Sequence, residues 1–434
     1  MSSETHPSDD ILRRFVSGTA SRAEGRQVTL HLLPGCRSCA RRMRELLVPQ
    51  VPADAYDVVF ARLESSPPHA PGGSQMPFDA AAKLLLAELD AQPKPRQEIL
   101  ARNSRRYLSA SLAHLLAERS YTLRYQDPHS MLHAARLGAA IAERLQSAQP
   151  VETAEFADLR ALCFSQLCSA LRVMGDLGSA EQAIQTALGA LKRGTGAPLL
   201  RALLREQLGA LRTWQCRYEA AIRTYEESVE IYRDQGKRHD LARVLISQAI
   251  ATLSTGDPEG ALALLFEAIP KVEGERDPRL TLAACHAVVS SQIDAGQIED
   301  ASLKWIELRF LYEQIGDPLL RLREKWLEGK LLIAQGVIPA GIRLLEKARE
   351  AYREHGMVYD AALIVLEIAQ GHLLLGHRDR VRSLIAEVLP VLRDLEVDKN
   401  VLTQFVLLRR ASRGGASFWG GTSLGQPAPE SLGS

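Results

Sequence analysis

The sequence predicts an all-α fold in which a small helical module precedes an α-solenoid of stacked helix pairs. Three observations predict it. Gly175, Cys216, Gly256, Gly296, Gly336 and Gly376 recur every 40 residues, with one 41-residue step. Each stands five residues before Ala180, Ala221, Ala261, Ala301, Gly341 or Val381. A second series of breaks at Gly196, Gly236, Arg276, Gly316, Gly356 and Glu396 is offset by 20 residues, so each period holds two helices. No strand-rich segment interrupts this cadence, and only 5% of the chain is aromatic, which suits an interior of Leu, Ala and Ile.

The first element is a module over residues 1–48. Ser8 and Asp9 cap a helix running through Val16, Gly18 closes it, and Ser21 starts another that runs to about Leu33. A Pro34-Gly35 turn follows, and His31, Cys36 and Cys39 read H-x4-C-x2-C across it. Two thiolates spaced C-x2-C over a turn converge on one ion, and a histidine one or two helical turns away supplies a third ligand. His6 is the only His or Cys ahead of this motif and completes a tetrahedral set of His6, His31, Cys36 and Cys39. Four protein ligands leave no open coordination position, so the expected role is structural. Such an ion would also explain how three short helices with few large apolar residues hold together. The alternatives are a redox pair of Cys36 and Cys39, or two unrelated cysteines.

Residues 49–103 are expected to hold short helices and a linker. Tyr56, Val58, Val59, Phe60 and Leu63 pattern one helix, and SSPPHAPGGSQMP at 65–77 is linker by composition. FDAAAKLLLAEL resumes the helical pattern, Pro93 and Pro95 break it, and a longer helix is expected over about 104–124. The array then runs to residue 412 as about seven helix pairs and a capping helix. Asp176, Asp257, Asp277 and Asp317 mark helix starts, the last three followed by proline. Residues 413–434 lack periodicity and are expected to be disordered.

Within each unit the pattern constrains residue size. Seven residues before the turn stand Cys168, Gly209, Ala249, Val289, Gly329 and Ala369; nine after it stand Ile184, Tyr225, Leu265, Trp305, Leu345 and Ile385. Twelve after it come Ala187, Ser228, Ala268, Leu308, Ala348 and Val388. Small residues let two helices cross closely, and the large one fills the gap against the neighbouring unit. Cys163, Cys168, Cys216 and Cys285 read as small core residues.

These positions resemble tetratricopeptide repeats: Leu208-Gly209, Tyr218-Glu219-Ala220-Ala221 and Tyr225 reproduce much of that consensus. The unit here is longer than the usual one of about 34 residues, which longer helices accommodate. Arrays of this kind bind through the face lined by the first helix of each unit. Counting back from the turns places Glu206, Arg243, His286, Arg323, Trp326 and Lys330 there, a lining suited to an acidic or aromatic peptide segment. Residues 5–48 resemble the zinc-binding anti-sigma domain, in which an early His precedes H-x3-C-x2-C; here the spacing is one residue longer, at the Pro34-Gly35 turn. That resemblance implies a sigma factor as partner and zinc release as a redox signal. The combination of module and array is similar to a group of bacterial proteins and implies a cytoplasmic setting.

Other function classes are disfavoured. Lys plus Arg number 53 against 52 for Asp plus Glu, so nothing in the charge calls for nucleic acid or anionic lipid. The most apolar stretch, AALIVLEIAQGHLLLG, holds Glu367, Gln370 and His372, which is unlike a membrane span. There is no phosphate loop, nucleophile elbow, H-E-x-x-H or dinucleotide fingerprint. His114, His129 and His133 read as surface histidines, and Glu226-Glu227 and Glu299-Asp300 as solvated pairs. The expectation is a non-enzymatic protein-interaction adaptor with a structural zinc ion. Its rivals are an anti-sigma-like switch and a small-molecule-sensing array.

Overall fold

Helix-starting signals account for the local structure. The computed structural model describes residues 80–394 except 125–126, 148–152, 275–276 and 356; ahead of these it describes 6–16, 21, 23–24, 27–28, 38–39 and 42. Among the described residues there is no strand. The chain divides into two compact units: Pro68–Glu273 with Arg378–Ser434, and Met1–Pro67 with Gly274–His377.

The Met1–Pro67 part of the second unit holds α1 (Asp9–Val16), where Ser8 and Asp9 predicted it. A second start follows at Ser21. The Ser21 backbone N–H donates to Glu24 Oε2 at 2.9 Å and the Glu24 N–H donates to Ser21 Oγ at 3.3 Å, a reciprocal capping box.

The first unit opens with α2 (Ala80–Asp90), α3 (Lys94–Asn103) and α4 (Ala110–Leu123). Here the prolines act differently from expectation. Pro93 caps α3 and Pro95 lies in its first turn, where a missing N–H removes no intrahelical bond, so they start a helix. The longer helix expected from 104 begins only at Ala110, because Ser104 caps a 3-10 turn over Arg105–Tyr107 and Ser109 caps α4. Leu89, Ala101 and Tyr107 share one core with Leu112 and Ile141.

The unit continues with α5 (Pro128–Ser147), α6 (Ala154–Val173), α7 (Leu177–Leu191) and α8 (Pro198–Trp214). Next come α9 (Tyr218–Asp234), α10 (Arg238–Ser254) and α11 (Pro258–Ala268). The second unit carries α12 (Pro278–Asp294), α13 (Ile298–Ile315), α14 (Pro318–Ala334), α15 (Ile338–Glu354) and α16 (Val358–Leu374). The last described helix, α17 (Arg378–Asp394), belongs with the first unit. Consecutive helices pack as antiparallel pairs: α4 on α5, α6 on α7, α8 on α9, α10 on α11, α12 on α13 and α14 on α15. Asp176, Asp257 and Asp277 cap α7, α11 and α12, accepting from the N–H of Ser179, Gly260 and Leu280 at 2.8–3.0 Å.

The repeat register sorts the core. Every residue seven before, nine after and twelve after the turn is buried. The size rule has a direct cause. A Cβ on Gly209 would lie 2.6 Å from the Tyr225 ring, and one on Gly329 would lie 2.7 Å from Leu345. The large residue thus covers the small one across the turn of its own pair, a correction to the expectation that it only fills space against the next unit. Where Ser228 replaces the usual apolar residue, its hydroxyl donates to the Ala202 carbonyl at 2.9 Å. The turns themselves require a positive φ: Gly336 has +83° and Cys216, the only non-glycine with positive φ among the described residues, has +59°.

The one 41-residue step has a local explanation. Its extra residue is taken up after α7, where Asp158 of α6 accepts from the Thr195 backbone N–H at 3.2 Å and from the Thr195 hydroxyl. The four array cysteines are buried as expected. Burial pushes the thiols of Cys163 and Cys168 up to about 12, so neither is a nucleophile at neutral pH.

Candidate functional site

Ionic and aromatic groups gather at three places, each within one unit. The first is amino-terminal. His6, just ahead of α1, and Cys39 are 33 residues apart in sequence, yet His6 Nδ1 lies 3.4 Å from Cys39 Sγ. Ligands at Zn–S of about 2.3 Å and Zn–N of about 2.0–2.1 Å in a tetrahedron stand about 3.5 Å apart, so this spacing matches one edge. Cys39 is fully buried. His31 and Cys36 lie outside the described residues. Arg14 of α1 donates to Glu24 at 2.6 Å, joining α1 to the Ser21 start. Hydrogen bonds from Ser21 and Arg14 hold the Glu24 carboxyl down at about 2.

The second place is the inner side of the first unit. Arg243 of α10 grips Glu206 of α8 through two parallel bonds, Nε to Oε1 and Nη2 to Oε2, both 2.8 Å. Nη2 also donates to Asp240 at 3.0 Å and Nη1 to the Tyr121 hydroxyl at 3.1 Å. The Tyr232 hydroxyl donates to Glu206 Oε2 at 3.3 Å. Tyr121 belongs to α4, 122 residues earlier, so the inner face of this unit curls until α4 meets α10. Burial opposes the charge on Arg243, but Glu206, Tyr121, Tyr232 and Asp240 hold its pKa well above the ordinary value. Both side chains of the pair are at most 11% exposed. Glu206 and Arg243, expected to line an open groove, therefore bind each other and form a structural pair.

The third place is the α12–α14–α16 side of the second unit. Lys330 of α14 donates to Asp294 at 2.7 and 2.8 Å and to Ser290 Oγ at 3.3 Å, both on α12, and its Nζ lies 3.7 Å from Glu367 of α16. One ammonium thus ties three successive first helices. Two turns earlier on the same face of α14, Arg323 is exposed and forms no ion pair among the described residues. Its charge reaches His286, Tyr312, Tyr352 and Asp360. Trp326, one turn along, meets Tyr352 edge to face at 5.9 Å. The structure brings together His286, Arg323, Trp326 and Lys330, and leaves Arg323 the available cation.

His286 Nδ1 and the Tyr312 hydroxyl share a hydrogen bond of 2.6 Å. Burial, then the charges of Arg323 and Lys330, pull its pKa down to about 3. A histidine whose folded value lies below its unfolded value of 6.5 contributes stability in full above pH 6.5 and loses it as pH falls toward 3. Lowering pH from 6.5 to about 5 should cost this unit up to about 2 kcal/mol. His286→Asn, which retains an acceptor for Tyr312, should flatten that slope in urea unfolding across the pH range; identical slopes would refute the assignment.

Sequence reasoning did not assign Asp240, Asp294, Glu367, Tyr312 or Tyr352 to these ionic sites. A usable signal was present: Glu206 and Arg243 are 37 residues apart, Asp294 and Lys330 36, about one period less one helical turn. Two other readings change. His114 and His133 are partly buried where surface positions were expected; only His129 is exposed. Among the described residues no group of three or more His, Cys, Asp or Glu is disposed to hold a metal ion. No described helix is long and apolar enough to cross a membrane.

The tetratricopeptide-repeat family model matches residues 199–270, which span α8 to α11. The search of curated protein sequences finds no match. Among solved structures, aspartyl phosphate phosphatase F from Bacillus subtilis aligns at 11% identity and TM-score 0.49, covering 97% of this chain and 99% of that one. The apo form of RapI aligns at 14% identity and TM-score 0.46, covering 70% and 99%. A signal transduction ATPase with numerous domains bearing a tetratricopeptide repeat sensor, from Pyrococcus horikoshii, aligns at 12% identity and TM-score 0.44, covering 93% and 65%.

Proposed function

We propose that this protein is a non-enzymatic, cytoplasmic interaction adaptor whose α12–α14–α16 face holds an acidic or aromatic segment of a protein partner. The observation that carries this reading is Arg323: exposed, without an ion pair among the described residues, and one helical turn from Trp326. A guanidinium fork beside an aromatic edge suits a carboxylate neighboured by an apolar ring. Lys330, paired internally on the same face, serves the scaffold that presents it.

In this reading His6, His31, Cys36 and Cys39 hold a structural zinc ion. The separation of His6 and Cys39 fits the ligand edge of such a set. Bound there, zinc supplies a fixed tetrahedral node in place of a large apolar core. The module then grips a transcription or signalling factor, with a sigma factor as the partner its resemblance implies, and the array supplies a second surface.

Two measurements test the reading separately. Elemental analysis of the purified chain should find one zinc ion per molecule, absent after Cys39→Ser; protein free of zinc at neutral pH defeats the amino-terminal part. Affinity purification with the wild type and with the exposed-residue variant Arg323→Ala should lose one stoichiometric partner in the variant, with an unchanged melting midpoint. A partner that stays bound removes this face from the proposal.

A further inference from the structure

Apart from the inner faces, the first unit contains a cavity of about 260 Å³ between α2, α3, α4 and α5. Its polar wall comes from Asp90, Lys94, Gln97, Arg119 and His133, and its apolar wall from Leu116 and Leu137. Gln97 is buried and fixed: its amide donates to the Gln92 carbonyl at 2.7 Å, and its Oε1 accepts from His133 Nε2 at 2.8 Å. That bond settles the imidazole with Nδ1 toward Glu98, 3.6 Å away. Burial pulls His133 below the ordinary histidine value, so the ring is neutral at pH 7.

The cationic donors on this wall are incompletely used. Arg119 engages both Asp90 oxygens through a single nitrogen, Nη1, at 2.8 and 2.7 Å. Its Nε and Nη2 make no hydrogen bond among the described residues. Lys94, the first residue of α3, is exposed and forms no ion pair among the described residues. Lys94 and Arg119 are the cations of this wall, Asp90 is its lining carboxylate, and Glu98 stands behind His133. Opposite, Leu116 and Leu137 are almost fully buried. A cation pair facing an aliphatic wall across a space this small suits a short amphiphile with an anionic head.

We propose that this cavity binds a small organic acid, its carboxylate between Lys94 and Arg119 and its short aliphatic tail against Leu116 and Leu137. The ligand would join α3 to α4 and so fasten α2 and α3 to the array, coupling metabolite binding to the order of the first helices. This inference stands apart from the partner face at Arg323 and fails or holds independently of it.

The test is thermal unfolding of the full chain in millimolar sodium butanoate, with sodium chloride at equal ionic strength, 1-butanol and butylammonium chloride as comparisons. Butanoate should raise the unfolding midpoint saturably, and the alcohol and the amine should not. Lys94→Ala removes an exposed side chain, so it should leave the ligand-free midpoint unchanged while weakening butanoate binding about tenfold. Ala134→Leu, at a position of α5 that lines the cavity, should abolish the shift. Equal shifts with butanol, or a butanoate shift that survives Lys94→Ala, would overturn the proposal.

Discussion

Arg243→Ala should destabilise the first unit by about 3–5 kcal/mol, because it leaves the buried Glu206 carboxylate without its partner. The same truncation releases the Tyr121 hydroxyl of α4 and the Asp240 carboxylate. Surface ion pairs in this chain, such as Arg106 with Glu88, lie in solvent and should contribute far less. The contrast comes from desolvation: an exposed carboxylate that loses its arginine is rehydrated, whereas Glu206 has little access to water. The double replacement Glu206→Leu, Arg243→Met should recover most of the loss, since well-packed apolar groups avoid the desolvation cost altogether. Guanidinium unfolding followed by circular dichroism distinguishes these outcomes. A single variant with the wild-type midpoint would show that water reaches Glu206 after all.

The second large effect is expected at Gly341. A Cβ there would sit 2.7 Å from the Gly329 carbonyl oxygen and 2.7 Å from Ile333 Cγ1, with the Ile333 amide nitrogen at 3.1 Å. Two of these three atoms belong to the backbone and cannot rotate away. Gly341→Val should therefore force α15 off α14 at a cost of about 3 kcal/mol, the upper end of ordinary overpacking. Helix propensity acts in the other direction, by up to about 1 kcal/mol for replacing a glycine, and is too small to offset the clash. The equivalent positions Ala221 and Ala301 carry a Cβ in other pairs. If Gly341→Val melts with the wild type, the close approach of α14 and α15 is wrong.

These two sites show what was legible in the sequence. Packing was, because residue size at a fixed register records how closely two helices approach. Glycine at 209 faces Tyr225, and glycines at both 329 and 341 mark the crossing of α14 and α15. Helix starts were legible where an aspartate or serine side chain does the capping, as at Asp176, Asp257 and Ser21. Pro93 misled because proline disfavours the helix interior and suits the first turn equally well, and only the flanking residues decide between them.

The ionic groups were half legible. Counting back from the turns placed Glu206, Arg243, His286, Arg323, Trp326 and Lys330 on first helices, but charge sign alone cannot say whether a cation is engaged at home or free for a ligand. Lys330 is engaged because Asp294 and Glu367 fall on the helices before and after its own. Arg323 is left exposed one helical turn from Trp326, a distinction that needs the fold. The approach of His6 to Cys39 follows from the motif only after residues 33 positions apart are brought together.

The loop clamped by Asp158 has a consequence for how such a chain grows and can be altered. One surplus residue between Gly175 and Cys216 leaves Ile184 and Tyr225 buried on either side. Length errors are thus absorbed at the joint where they arise and are not passed to the next pair. Each pair sets its own phase against its neighbours, so the array carries no running count that an insertion could upset. The Gly194-Thr195-Gly196 joint is accordingly a natural port for splicing in a fluorophore or an epitope.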